Sequence, residues 1–192
     1  MADALEKGFK AEAERISLAI RSELGLKPVD RLDCRMLAET LGVPIISLRE
    51  LEEDGASLKS IRVLMASEAR FSAATICFGP YRLIAHNPAD PPGRGANSLA
   101  HELSHIILDH PPLPSIGAGG CRYWDQKQEE EADWLAGALL VPREGALQWL
   151  LRGGTLLVGA LHFGVSRALF NWRANHTGVI RQLRRNRQAG RG

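Results

Sequence analysis

The segment NSLAHELSHIILDH, Asn97 to His110, places two histidines four residues apart with a glutamate directly after the first. Asn97 is a good N-cap and Pro111-Pro112 a strong stop, so the spacing predicts a helix over Ser98–Asp109. At 100° per residue, Leu99, Ala100, Leu103, Ile106 and Ile107 form one apolar arc, and His101 and His105 lie together on the opposite side. A lone histidine on an apolar face is commonly a satisfied core residue, but this pair avoids that face. Imidazoles at i and i+4 aim at one spot and can fill adjacent corners of a tetrahedral Zn²⁺ site. Glu102 flanks them, too far round to ligate and well placed as a general base toward a metal-bound water.

Such a site needs a third ligand. The extended pattern H-E-x-x-H-x-x-G-x-x-H is excluded: Leu108 stands at its glycine position and Pro111 at its last histidine, with His110 one residue short. His110 projects to the apolar side and reads as structural. The alternative is a carboxylate from the later helical stretch DQKQEEEADWLAGALLVP, where Asp125 and Gln128 form a capping box. Acids in the first turns of a helix are ordinarily just solvated charges favoured by the macrodipole. Geometry separates the three here. Glu129 lies at the edge of the apolar arc Ala132, Leu135, Ala136, Leu139 and Leu140, whereas Glu130 and Glu131 point away. The small Ala132 and Ala136 allow another helix to come close and bring Glu129 to the histidines. Asp133, one turn on, is the acceptor suited to orienting a ligating imidazole.

RGANSLAHELSHIILDH, followed by Glu129-x-x-Ala132-Asp133-x-x-AGALLVP, resembles the ImmA/IrrE family of metallopeptidases. The likeness is strong from Arg94 to Pro142 and weaker on the flanks. Leu135 and Val141 replace the family's frequent Phe and Met. The resemblance implies a zincin-like domain with His101, His105 and Glu129 on zinc and Glu102 as base. It also implies an intracellular protein substrate, in many members a helix-turn-helix repressor cleaved under stress or on prophage induction.

The rest of the chain bounds this reading. A length of 192 residues with 45% apolar and 24% charged residues suits one domain with at most a small appendage. Cys34, Cys77 and Cys121 are odd in number and in no C-x-x-C, so they read as small buried hydrophobes of a cytosolic protein. The charged N-terminus carries no signal peptide and no apolar run spans a bilayer, so a cytoplasmic location is expected. Helices are expected over Ala11–Leu24 and DCRMLAETLG. Strands are expected at VPIISL, SIRVLMAS, FSAATICFG and YRLIAHN, the last two joined through Gly79-Pro80. This is an α+β fold with a small antiparallel sheet and a helical C-terminal part. Residues 1–142 form the peptidase domain, 143–180 a helical region and 181–192 a basic, flexible tail.

Within the helical region, Ala160, Gly164, Val165 and Phe170 have helix-turn-helix spacing. Packing on the peptidase domain is the preferred reading and direct DNA contact the less expected one. The competing function is a DNA-binding regulator with a structural or sensory zinc site. Structural sites take four protein ligands, and three are found, which favours catalysis. Tyr123, His162 and His176 are the candidate donors to a developing oxyanion, and the loop Pro111–Gly120 is a candidate gate. Mn²⁺ is an alternative to Zn²⁺, since cellular supply as well as affinity decides.

Overall fold

A computed structural model describes residues 5–66, 71–111 and 125–189. Helix α1 (Phe9–Glu23) and α2 (Cys34–Thr40, capped by Asp33) lead into the short strand β1 (Ile45–Ser47). Ser47 and Glu50 then form a reciprocal capping box that starts α3 (Leu48–Glu53), so the expected strand stops before Leu48. The segment SIRVLMAS is not a strand. Its residues Ser60–Met65 belong to helix α4 (Leu58–Met65), capped by Ser57. Val63 is 59% exposed while Ile61 is buried, so the apparent alternation fails and Ile61, Leu64 and Met65 share a helical face instead.

Strands β2 (Ala73–Phe78) and β3 (Tyr81–His86) form the expected antiparallel hairpin, with Phe78 opposite Tyr81 across Gly79-Pro80. β1 adds to the other side of β3 in parallel, Ile45 opposite Ile84, so the sheet is mixed, in the order β1-β3-β2. The α+β architecture is as expected from sequence. β2 is an edge strand, and helix α5 (Pro92–Ile107) packs beside it.

Helix α5 begins five residues before the expected N-cap. Pro92 occupies its first turn after Pro91, where a missing N–H costs nothing and the ring presets φ. Asn97 therefore lies inside the helix and does not cap it. The helix also ends earlier than expected, at Ile107, through a turn in which Asp109 takes φ 51°. The Asp109 N–H donates to Ile106 O and the His110 N–H to His105 O, a Schellman closure that folds His110 back over the last turn.

Helix α6 (Gln126–Leu140) packs along α5 and against α1. Asp125 caps it by accepting from the N–H groups of Lys127 and Gln128. The Gln128 side chain donates to the Asp125 carboxylate, so the capping box is half formed. Four short helices complete the chain: α7 (Arg143–Leu151), α8 (Leu156–Phe163), α9 (Arg167–His176) and α10 (Val179–Ala189). The expected flexible tail is therefore helical through Ala189, packed on α7 and α9. Phe163, Phe170 and Val179 share one buried core with Leu103, Leu135 and Leu139, across the boundary expected at residue 142. Gly93 of α5 lies under the turn between α8 and α9. A Cβ there would stand 2.9 Å from Ser166 N, so only glycine permits this approach.

Four carbonyls at the end of α6 have no partner within the helix. Side chains from two other helices supply the donors. Ser17 Oγ donates to Ala138 O at 2.7 Å, and Arg21 Nη2 to Leu139 O at 2.8 Å and Leu140 O at 3.4 Å. Arg173 Nε donates to Val141 O at 3.0 Å, while its Nη2 pairs with Glu14. Burial lowers the Arg21 pKa to about 10, which still leaves it charged at neutral pH. α6 is thus clamped at its C-terminal end by α1 and α9.

Candidate metal centre

Helix α5 presents its buried face, Leu99, Ala100 and Leu103, to the core, which leaves His101 and His105 half-buried on another side. Ala132 and Ala136 of α6 are fully packed, and the close approach they permit brings Glu129 to the histidine pair. His101 Nε2 and His105 Nε2 stand 3.1 Å apart. One Glu129 oxygen lies 3.3 Å from His101 Nε2 and the other 3.7 Å from His105 Nε2. Atoms bound tetrahedrally to one zinc at about 2.0–2.1 Å are separated by roughly 3.3 Å. The three side chains therefore fit a divalent ion in both donor chemistry and spacing. Among the described residues, this is the group of histidine and carboxylate side chains so arranged.

Each imidazole is held from behind. His101 Nδ1 is 2.8 Å from Asp133 Oδ1, and His105 Nδ1 is 2.9 Å from His110 Nδ1. His110 Nε2 in turn reaches Glu131 Oε2 at 3.2 Å. Both histidines thus point Nε2 at the centre, with a carboxylate one step behind His101 and two steps behind His105. Glu131 does not point away as the helical projection has it, and His110 is more than a packing residue. Sequence reasoning misses this arm because it aims His110 by the helical periodicity of the segment before it. The αL turn at Asp109 instead swings the ring back to His105.

The electrostatics follow from these contacts. Burial pulls the His105 pKa down to about 4, reinforced by His101 and His110, so the ring is neutral at pH 7 and has a lone pair to offer a metal. For His101, burial works against the charged form, but the hydrogen bond and charge of Asp133 outweigh it and the pKa is raised. Burial also raises the Glu129 carboxyl, against the lowering pull of His101.

Glu102 is fixed to the sheet. Its Oε2 accepts from both the Thr75 N–H, at 2.8 Å, and the Thr75 Oγ1, at 2.7 Å. The strand register explains why that N–H is available. Thr75 faces Ile84, whose own N–H donates to Pro44 O on the other side, so the pair exchanges no ladder bonds and Thr75 turns its N–H outward. The anchor joins residues 27 positions apart and carries no local sequence signal.

The structure does not bring the oxyanion candidates His162 and His176 to this centre. His162 Nε2 bonds Val29 O and its ring stacks on Trp149; His176 Nδ1 bonds Trp172 O and its ring stacks on Trp172. Tyr123, Cys121 and loop positions 112–120 lie outside the described residues. Cys34 is buried, with its pKa pushed up to about 12 by burial, whereas Cys77 is exposed, against expectation.

A family model described as the IrrE N-terminal-like domain, a peptidase family, matches residues 38–175. The chain belongs to this metallopeptidase family. The match runs through the helices that carry His101, His105 and Glu129 and on into α9, and the family implies a metal. No curated protein matches the chain. Among the described residues no helix is long and apolar enough to cross a membrane.

Proposed function

We propose that this IrrE-like metallopeptidase is a zinc-dependent endopeptidase that cuts a specific protein, a DNA-binding transcriptional repressor, in the cytoplasm. The observation that carries the catalytic part is the convergence of His101, His105 and Glu129 with Glu102 anchored beside them. His101, His105 and Glu129 would hold a zinc ion, which would supply Lewis acidity toward the attacking water and a carbonyl oxygen.

The chain's own residues do the rest. Thr75 fixes one oxygen of Glu102, so the carboxylate needs no reorganisation to accept a proton from the attacking water. The same carboxylate then delivers that proton to the leaving amine. The edge strand supplies a way to hold the substrate. By the alternation that turns the Thr75 N–H outward, Ala73 and Cys77 direct main-chain groups to the same unpaired edge of β2, where an extended peptide would add as a strand around the Thr75–Glu102 contact. The repressor as substrate is supported by the family likeness and by the unpaired strand edge beside the site.

Incubating the metal-loaded protein with helix-turn-helix repressors from the same genome is the direct test. Cleavage at one or a few sites is expected, with casein-like unfolded proteins left nearly intact. Glu102→Gln should keep fold and metal and lose ~10²–10⁴ in rate. Undiminished cleavage by that variant would sink the mechanism, and efficient digestion of unrelated unfolded chains would replace the repressor with a general substrate.

A further inference from the structure

Charge is divided unevenly along this chain. All 22 acidic residues lie at or before Glu144, together with 16 of the 24 basic ones, which gives that part a net charge of −6. The remainder, from Gly145 on, has eight arginines and no acid. Arg173 is buried on Glu14 and serves the fold. The others that the structure describes with side chains, Arg152, Arg167, Arg181, Arg184 and Arg185, are exposed, and none has an ion-pair partner among the described residues. The metal centre uses none of them.

Two helices organise this charge. On α10, Arg181, Arg184, Arg185 and Gln188 fall within one arc of about 100°, with the half-buried Leu183 opposite it and the half-buried Ile180 at its edge. On α9, Arg167, Ala168, Asn171 and Asn175 share the outward face, while Phe170, Arg173 and Ala174 are buried. α8 and α9 make a helix-turn-helix: Gly164 takes φ 69° at the turn, Val165 packs inward, and Ser166 caps α9 through Leu169 N. α9 is therefore held with its first turns open to solvent. Arginine and asparagine there are the side chains that pair bidentately with guanine and adenine edges, and Ala168 permits close approach.

We infer that α9 and α10 form a docking surface for duplex DNA, α9 facing the major groove and the α10 arginines meeting phosphates. α8 takes no part in the phosphate contact: its outward Leu157, Val158 and Leu161 are apolar, and its exposed His162 is engaged with Val29 O and Trp149. This surface is independent of the metal centre. If the peptidase reading also holds, it places the enzyme on the same polymer as a DNA-bound substrate.

The test uses the full, metal-loaded chain and fluorescence anisotropy on a labelled duplex of about 25 base pairs at 50 and 200 mM salt. Binding at 50 mM that weakens steeply at 200 mM is expected. Replacing Arg181, Arg184 and Arg185 together by Gln should cost at least tenfold in affinity. It should also flatten the salt slope by roughly 0.9 for each phosphate that is no longer neutralised. The matching triple Lys replacement, which keeps the charge, should retain most of the binding. Arg167→Ala with Asn171→Ala should weaken binding further while changing the salt slope by no more than about one phosphate's worth. Absence of duplex binding at 50 mM salt, or a triple Gln variant equal to wild type, would overturn the inference. Tighter binding of poly-glutamate than of the duplex would reassign the surface to an acidic protein. None of these readouts requires cleavage, so failure of the peptidase reading would be seen separately.

Discussion

The two ends of helix α6 do opposite jobs with the same kind of chemistry. At the N-terminal end Glu129, Glu131 and Asp133 meet three histidines, and the contacts leave Nε2 of His101 and His105 and the Glu129 carboxylate facing one point. At the C-terminal end Ser17, Arg21 and Arg173 meet four carbonyls, and these acceptors are satisfied by side chains. One end is half-buried and left with coordinating capacity; the other is fully buried and closed. A metal centre built on a helix needs both, because ligand atoms held near 3.3 Å spacing tolerate little sliding of the helix that carries one of them. Gly137 shows how tight the closed end is: a Cβ there would come within 2.9 Å of Arg173 Cδ.

Damage confined to the closed end should have the largest effect on stability and the least on the metal centre. Arg173→Met keeps much of the packing volume but leaves Glu14 without its buried partner and the Val141 carbonyl without a donor. The expected loss is about 3–5 kcal/mol of stability, seen as a lower denaturation midpoint. Activity per folded molecule should survive at a temperature where the variant is still native. A stable variant that has lost metal would mean that this end tunes the site rather than supporting it.

Next in size is the ligand itself. Glu129→Ala should weaken metal binding by more than ~100-fold with little effect on the fold, while Glu130→Ala, which removes an acceptor for Gln126 away from the histidines, should bind as wild type. Titration with Zn²⁺ in the presence of a competing chelator reads both. Equal losses in the two variants would reject the geometric selection of Glu129.

How far each end can be read from sequence differs for a physical reason. His101, His105, Glu129 and Asp133 obey helical periodicity on two regular segments, so a projection places them correctly. The same projection fails for His110 and Glu131, because the chain leaves the helix at Leu108 and an αL turn resets the direction of the ring. Arg21 and Arg173 give no signal at all: arginine is ordinarily solvated, and no local pattern marks one that crosses to the carbonyls of a helix more than 30 residues distant or, for Arg21, more than 100. Thr75 is hidden likewise, since only the sheet register frees its N–H for Glu102. α4 reads as a strand because Ile61 and Val63 mimic strand alternation, although only the former is buried.

The arm behind His105 gives a smaller effect that tests the open end. His110→Ala removes the group that holds His105 Nδ1, and a loss of ~10–100-fold in metal affinity is expected, the size usual for partners that orient a ligand. Asp133→Asn should act comparably through His101. If His110→Ala binds metal as tightly as wild type, His105 is positioned by the helix alone.

The smallest effect belongs to Glu131, and a double-mutant cycle measures it. Glu131 touches no candidate ligand; its contact is with His110, at 3.2 Å, with Lys127 Nζ 3.9 Å from its other oxygen. If it acts by fixing which nitrogen of His110 carries the proton, Glu131→Gln keeps an acceptor for the His110 N–H but removes the charge. The loss in metal affinity should then fall below the ~10-fold expected for a direct partner. Coupling is the decisive quantity. In a His110→Ala background Glu131→Gln has nothing left to orient, so the second substitution should add almost nothing and the two effects should be strongly non-additive. Full additivity would show that Glu131 reaches the metal centre by another route, such as its charge at the start of α6. The relay through His110 would then be discarded, and the open end of the helix would have the simpler construction of Glu129 and Asp133 on one side and an unsupported His105 on the other.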